Sequence, residues 1–148
     1  MLRNNLYADM QLDSVSQAAA SGEFFTNTGA GAAAYVTRAD CAAVAVGVLT
    51  GTGHENRVYD VTGPEPISAD DVAALAAEVS GKPIKVVHAD DAAYGAGLVA
   101  GGLPEEVAAM LVSFGASIRL GTLERVTDVV ETIGGRPPTS LRTLLTAR

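Results

Sequence analysis

The chain has 148 residues, enough for one domain with one core. Apolar residues make up 48% and charged residues 18%, which excludes the disordered class. Seventeen acidic against ten basic residues give a net charge of −7 with no basic cluster, so nucleic acid is not an expected partner. No apolar run approaches the roughly 18 residues needed to span a bilayer, and no basic segment followed by an apolar stretch marks a secretion signal. No membrane partner is expected either. Cys41 is the only cysteine, so no disulfide framework forms and a cytoplasmic location is the default.

In chain order, Leu2 is strand-like and Leu6 to Ala20 reads as a helix ending at Ser21-Gly22. Phe24-Phe25-Thr26 reads as a short strand leading into the glycine loop NTGAGAAA, and Tyr35-Val36 are again strand-like. Thr37 and Asp40 have capping-box spacing, and the helix they open carries Cys41, Val44, Ala45 and Val48 on one face before stopping at Gly51. Residues 56–63 (NRVYDVTG) alternate like a strand. Ser68 and Asp71 form a second capping box for a helix whose stripe is Val72, Leu75, Ala76 and Val79, ended by Gly81. Ile84 to His88 predicts a strand, and Asp90 to about Ala100 a helix. Pro104 stands at a first helical position ahead of Val107, Met110, Leu111 and Phe114. Helices are also predicted over Glu124–Ile133 and, capped by Thr139, through Leu145. The pattern is α/β: helix-rich, with a few short, mostly parallel strands that resemble part of a larger sheet.

Gly29, Gly31 and Ala34 match the spacing of a dinucleotide loop, G-x-G-x-x-A. In a phosphate-binding loop the helix starts at the motif, so that its N-terminus faces the pyrophosphate. Here strand-like residues follow and the helix is capped only at Thr37, so the stretch reads as a tight loop rather than a phosphate cradle. Cys41 lies on an apolar helical stripe and reads as packing. His54 and His88 have no companions at ligand spacing, so no metal is expected. The pairs Asp70-Asp71 and Asp90-Asp91 stand at helix starts, where capping and dipole roles suffice. Asn56, Arg57 and Asp60 read as turn and edge solvation. No G-x-S-x-G elbow is present, and no tyrosine is followed four residues later by lysine, so catalytic residues are not identified.

Four collinear stretches, LRNNLYADM, TNTGAGAAAYVTRADCAAVAVGVLTGTGHENRVYDVTGPEPIS, DVAALAAEVSGKPIKVV and GLPEEVAAML, resemble the NmrA-like branch of the atypical short-chain dehydrogenases/reductases. The resemblance is nearest to the NAD(P)H:quinone oxidoreductases and triphenylmethane-reductase-like enzymes. It implies a Rossmann-like fold of which residues 1–148 form one substrate-side, C-terminal half, the dinucleotide-binding half being absent. It implies hydride transfer from NADP or NAD to a quinone or similar flat acceptor, with the isolated chain inactive.

By match, the resemblance places Leu2, Arg3, Asn4, Asn5 and Leu6 beside the nicotinamide. It places Tyr7, Asn27, Gly29 and Gly31 at the acceptor pocket. Arg3 could meet a phosphate or a buried carboxylate. The alternatives are a non-catalytic NAD(P)-sensing regulator of the NmrA type and a stand-alone interaction module. If strands are lacking beside the first segment, Leu2, Leu6 and the apolar side of the first helix have no partner within the chain. A homo-oligomer formed through that surface, aggregation, or a disordered N-terminal segment is then expected.

Overall fold

A computed structural model describes residues 1–147. The chain forms two compact units. The first comprises Met1–Leu12, Ala33–Ile67 and the chain from Leu123 onward. Its strands β1 (Leu2–Asn4) and β4 (Tyr59–Val61) pair in parallel, with Leu2 opposite Tyr59 and Asn4 opposite Val61. Helices α2 (Arg38–Thr50), α6 (Val129–Thr132) and α7 (Leu141–Thr146) complete it. Val36, Cys41, Val44, Val61, Val129 and Val130 form its core, with Leu2, Tyr7, Val48, Tyr59 and Ile133 packed against them. Leu2 is therefore covered from within the chain, Leu6 is half-buried, and Val15 and Ala18 of α1 (Gln11–Ser21) are buried. The expected unpartnered N-terminal surface is not found, because α2 and α6 close over the pair β1/β4.

The second unit comprises Asp13–Ala32 and Ser68–Thr122. Strands β2 (Glu23–Thr26) and β6 (Lys85–His88) pair in parallel and are accompanied by α3 (Ala69–Ser80), α4 (Asp91–Ala100) and α5 (Glu105–Arg119). The short strands β3 (Ala32–Ala33) and β5 (Ile67–Ser68) form a third pair. The capping box of α3 is complete: Ser68 accepts from the Asp71 N–H while the Asp71 carboxylate accepts from the Ser68 N–H. Gly81 then ends the helix with φ 69°, a left-handed conformation that glycine adopts without a Cβ penalty.

Three boundaries differ from the sequence reading because a tertiary contact claims a backbone group. Leu6 and Tyr7 stay extended, since the Val36 N–H donates to the Leu6 carbonyl and the Ala8 N–H to the Val36 carbonyl. Helix begins only after them, as a 3-10 turn over Ala8–Met10 that leads into α1. Residues 124–128 are not helical, because the Thr127 N–H donates to Thr62 Oγ1 (2.9 Å) and its hydroxyl to the Asp60 carbonyl (2.7 Å). The last helix is capped by Ser140 rather than Thr139, whose N–H donates to Asp40 instead. Pro104 is the N-cap of α5 rather than its first helical residue.

Candidate functional site

The sequence-predicted residues fall into two groups, one in each unit. Leu2 through Tyr7 form a continuous extended segment of the first. Its strand, β1, ends at Asn4, level with the end of β4, so both chains leave the parallel pair at their carboxyl ends there. Side chains of the segment divide by role. Leu2 faces the core. Asn5 is committed within the chain: its Nδ2 donates to the Leu123 carbonyl (3.0 Å) and its Oδ1 accepts from the Leu6 N–H (2.7 Å). Asn4 is exposed, and its amide makes only a long contact of 3.4 Å with the Tyr7 hydroxyl. The Arg38 guanidinium stands 5.4 Å over the Tyr7 ring.

Arg3 meets a carboxylate. Its Nε lies 2.7 Å from Asp60 Oδ1, and Arg125 approaches Asp60 Oδ2 at 3.2 Å. Asp60 is thus more than an edge-solvating residue: it is shared by two arginines. The three line an open pocket of about 550 Å³ together with Tyr59 and Thr127. Sequence spacing missed this cluster because Arg125 is 65 residues from Asp60.

In the second unit the glycine loop is tied to two helices. Asn27, 2% exposed, donates through Nδ2 to Asp91 Oδ1 (2.9 Å) and to the Val112 carbonyl (3.1 Å). Arg119 forms a two-pronged pair with Asp91 (3.0 Å on each prong), and its Nη1 also donates to the Asn27 carbonyl. These contacts hold the Asp91 carboxyl below the usual carboxylate range, the Arg119 hydrogen bond foremost and the Asn27 hydrogen bond next. Gly31 leaves no space for a side chain, since a Cβ there would lie 2.2 Å from the Ile118 carbonyl oxygen. Gly29 adopts φ 57°, with the Arg119 stem against it. These glycines serve close packing and a left-handed turn, which agrees with the reading as a tight loop. Asp90 caps α4 through the Ala93 N–H (2.7 Å), as its position at a helix start implies. Asp91 goes beyond that role through Asn27 and Arg119.

Among the remaining candidates, Cys41 is buried in the first unit's core and its thiol pKa is pushed up to about 11. Burial is the main cause, followed by the neighbouring Asp40 and Asp9 carboxylates. It is protonated at neutral pH and packs as a small apolar group. His54 Nδ1 lies 2.9 Å from the Tyr59 hydroxyl, so this histidine anchors its turn to β4. Among the described residues no group of three or more potential metal ligands exists, and no helix is long and apolar enough to cross a membrane.

A group that sequence reasoning undervalued is Asp40, fully buried in the first unit. It was expected to cap α2. Its carboxylate accepts from the Thr37 hydroxyl (2.7 Å) and the Thr139 N–H (2.9 Å), and pairs with Arg136 (2.8 Å). It therefore clamps the chain after α6 onto the start of α2.

No family model matches the chain. It is 35% identical over 116 residues to an NAD(P)H azoreductase of Xenophilus azovorans, covering 78% of this chain and 41% of that protein. It is 33% identical over 141 residues to quinone oxidoreductase 2 of Escherichia coli, covering 95% of this chain and 49% of that protein. The crystal structure of a Citrobacter triphenylmethane reductase complexed with NADP(H) superposes with a TM-score of 0.89 at 29% identity, over 98% of this chain and 51% of that one. The chain thus spans about half the length of the curated relatives it matches.

Proposed function

Because the chain belongs to the NmrA-like branch of the atypical short-chain dehydrogenases/reductases, we propose that it is the substrate-side half of an NAD(P)H-dependent reductase acting on a quinone or similar flat acceptor. The observation that supports this most is the path of Leu2–Asn4. The segment runs to the carboxyl end of a parallel strand pair, where open α/β sheets bind their ligands. It presents the exposed Asn4 amide there.

A primary amide offers a donor and an acceptor side by side, which is the complement of the carboxamide on a nicotinamide ring. The donor set therefore fits a nicotinamide dinucleotide. Asn4, with the backbone of Asn5 and Leu6, would hold the ring end. Arg3 is engaged by Asp60 and contributes by fixing the strand rather than by holding a phosphate. The dinucleotide supplies a hydride when bound, and the chain's task is to orient and to exclude water. Tyr7 is the acceptor-side candidate in the first unit, and the loop Asn27–Gly31 is the candidate in the second. The three relatives described above are named for azo, quinone and triphenylmethane substrates, all conjugated systems. That range favours a wall that selects flatness over a particular polar group.

The reading is tested by joining the chain to the half of the E. coli quinone oxidoreductase that it does not match and following NADPH oxidation with duroquinone. The joined protein is expected to turn over. The chain alone is expected not to, since its residues contain no glycine turn suited to a pyrophosphate. A joined protein that folds and binds NADPH yet reduces no acceptor, or robust turnover by the chain alone, contradicts the proposal.

A further inference from the structure

We propose that Asp91 and Arg119, outside every motif that marks the site, are positioning residues for acceptor binding, setting the path of loop 26–31 through Asn27. The inference rests on the reading of this loop as acceptor wall and adds to it the groups that give the wall its shape.

Asn27 is tied at its Nδ2 and at its carbonyl, while its buried Oδ1 has no hydrogen-bond partner among the described residues. Asn27 is buried, so its backbone cannot move without breaking the bonds of its amide to Asp91 and Val112. Arg119 grips Asp91 with both prongs and takes the Asn27 carbonyl with one of them, so a single guanidinium fixes both the backbone and, through Asp91, the side chain of that residue. Gly115 is the fourth element. A Cβ there would lie 1.8 Å from Asn27 Oδ1, so only glycine on α5 allows the amide to sit where Asp91 can receive it. The Arg119 stem also lies against Gly29. Gly115, Asp91 and Arg119 thus converge on loop 26–31 from outside it, through the buried Asn27 amide and Gly29 within it. Simple loop closure would not need a two-pronged ion pair joining residues 28 apart in sequence to a loop more than 60 residues away. A wall that must lie flat against a conjugated acceptor does need a fixed backbone, because small displacements of positioning groups cost large factors in binding and rate.

The test uses the isotopically labelled chain itself, with duroquinone as probe and amide hydrogen exchange as a second readout. In the parent, duroquinone should shift the amides of residues 26–31 saturably. Arg119→Met and Asp91→Asn should each weaken that binding about tenfold or more and speed exchange of the loop amides by a similar factor. Exchange in α3 should not change. Arg119→Lys, which keeps the charge but loses the fork, should recover neither property. Should Arg119→Met fail to fold, Asp91→Asn, which preserves shape, carries the test. Rescue by lysine, or a loosened loop with unchanged duroquinone affinity, overturns the positioning role. Absence of any duroquinone shift at the loop in the parent overturns the acceptor reading and the proposal with it, whereas the exchange data alone would still show whether the clamp holds the loop.

Discussion

The segment Leu2–Tyr7 of the first unit and the loop Asn27–Gly31 of the second are held by different forces. The first is a strand in a parallel ladder, backed by an apolar core and by the fully buried Asp40, whose partners are uncharged apart from Arg136. The second is held by an exposed ion pair acting on one buried amide, with glycines removing every obstacle. Backbone pairing and burial respond little to pH or salt, whereas an exposed charge pair responds to both.

The largest expected effect lies in the first unit. Asp40→Ala strips the Thr37 hydroxyl, the Thr139 N–H and Arg136 of their shared acceptor, and should cost about 3 kcal/mol in a denaturant titration. A loss below about 1 kcal/mol would mean that water substitutes readily and that this unit is no more tightly held than the loop.

Next is Gly115→Ala. Its Cβ would displace the Asn27 amide and break the tie to Asp91, at an expected cost of about 2 kcal/mol. Exchange should quicken at residues 26–31 and stay unchanged in β1 and β4. Faster exchange in both units alike would show that the two regions are not independently held.

The smallest effect is acid-dependent. The native pKa of Asp91 is lowered, so its contribution is fully present above the usual 3.8 and is lost as pH falls through the lower native value. Below pH 3.8 the loop amides should lose protection in the parent, and the Asp91→Asn variant should show no such change there. Asp71 is also held low, by Ser68, so α3 should respond to acid identically in both proteins. A loop that responds to acid just as strongly in the variant would place its sensitivity elsewhere.

What sequence reading could reach follows from distance along the chain. The Ser68/Asp71 box, the Thr37 cap and the Asp90 cap each span three residues, and local spacing exposes them. The parallel character of the strands followed from helices standing between them. Asp40 with Thr139, Asp60 with Arg125, and Asp91 with Arg119 join residues 99, 65 and 28 apart, and no local pattern announces such pairs. The same long-range contacts explain the errors. Local pattern puts Thr127 in a helix, whereas its donors go to Thr62 and Asp60. Nothing near Leu2 in sequence shows that it packs against the core of Val44, Val61 and Val130. The resemblance points to the two segments, and the groups that hold them are visible only in the fold.

The most direct measurement compares Asn4→Ala with Cys41→Ala in the joined protein, following kcat/KM for NADPH with duroquinone at saturation. Asn4 is exposed at the end of β1, while Cys41 is buried, protonated and part of the core. Loss of the Asn4 amide should lower kcat/KM about tenfold or more with thermal stability unchanged, as for one well-placed hydrogen bond. Cys41→Ala should lower stability and leave kcat/KM within about twofold. Parent-like kinetics for Asn4→Ala together with a collapse in Cys41→Ala would contradict the placement of the nicotinamide end at Leu2–Leu6.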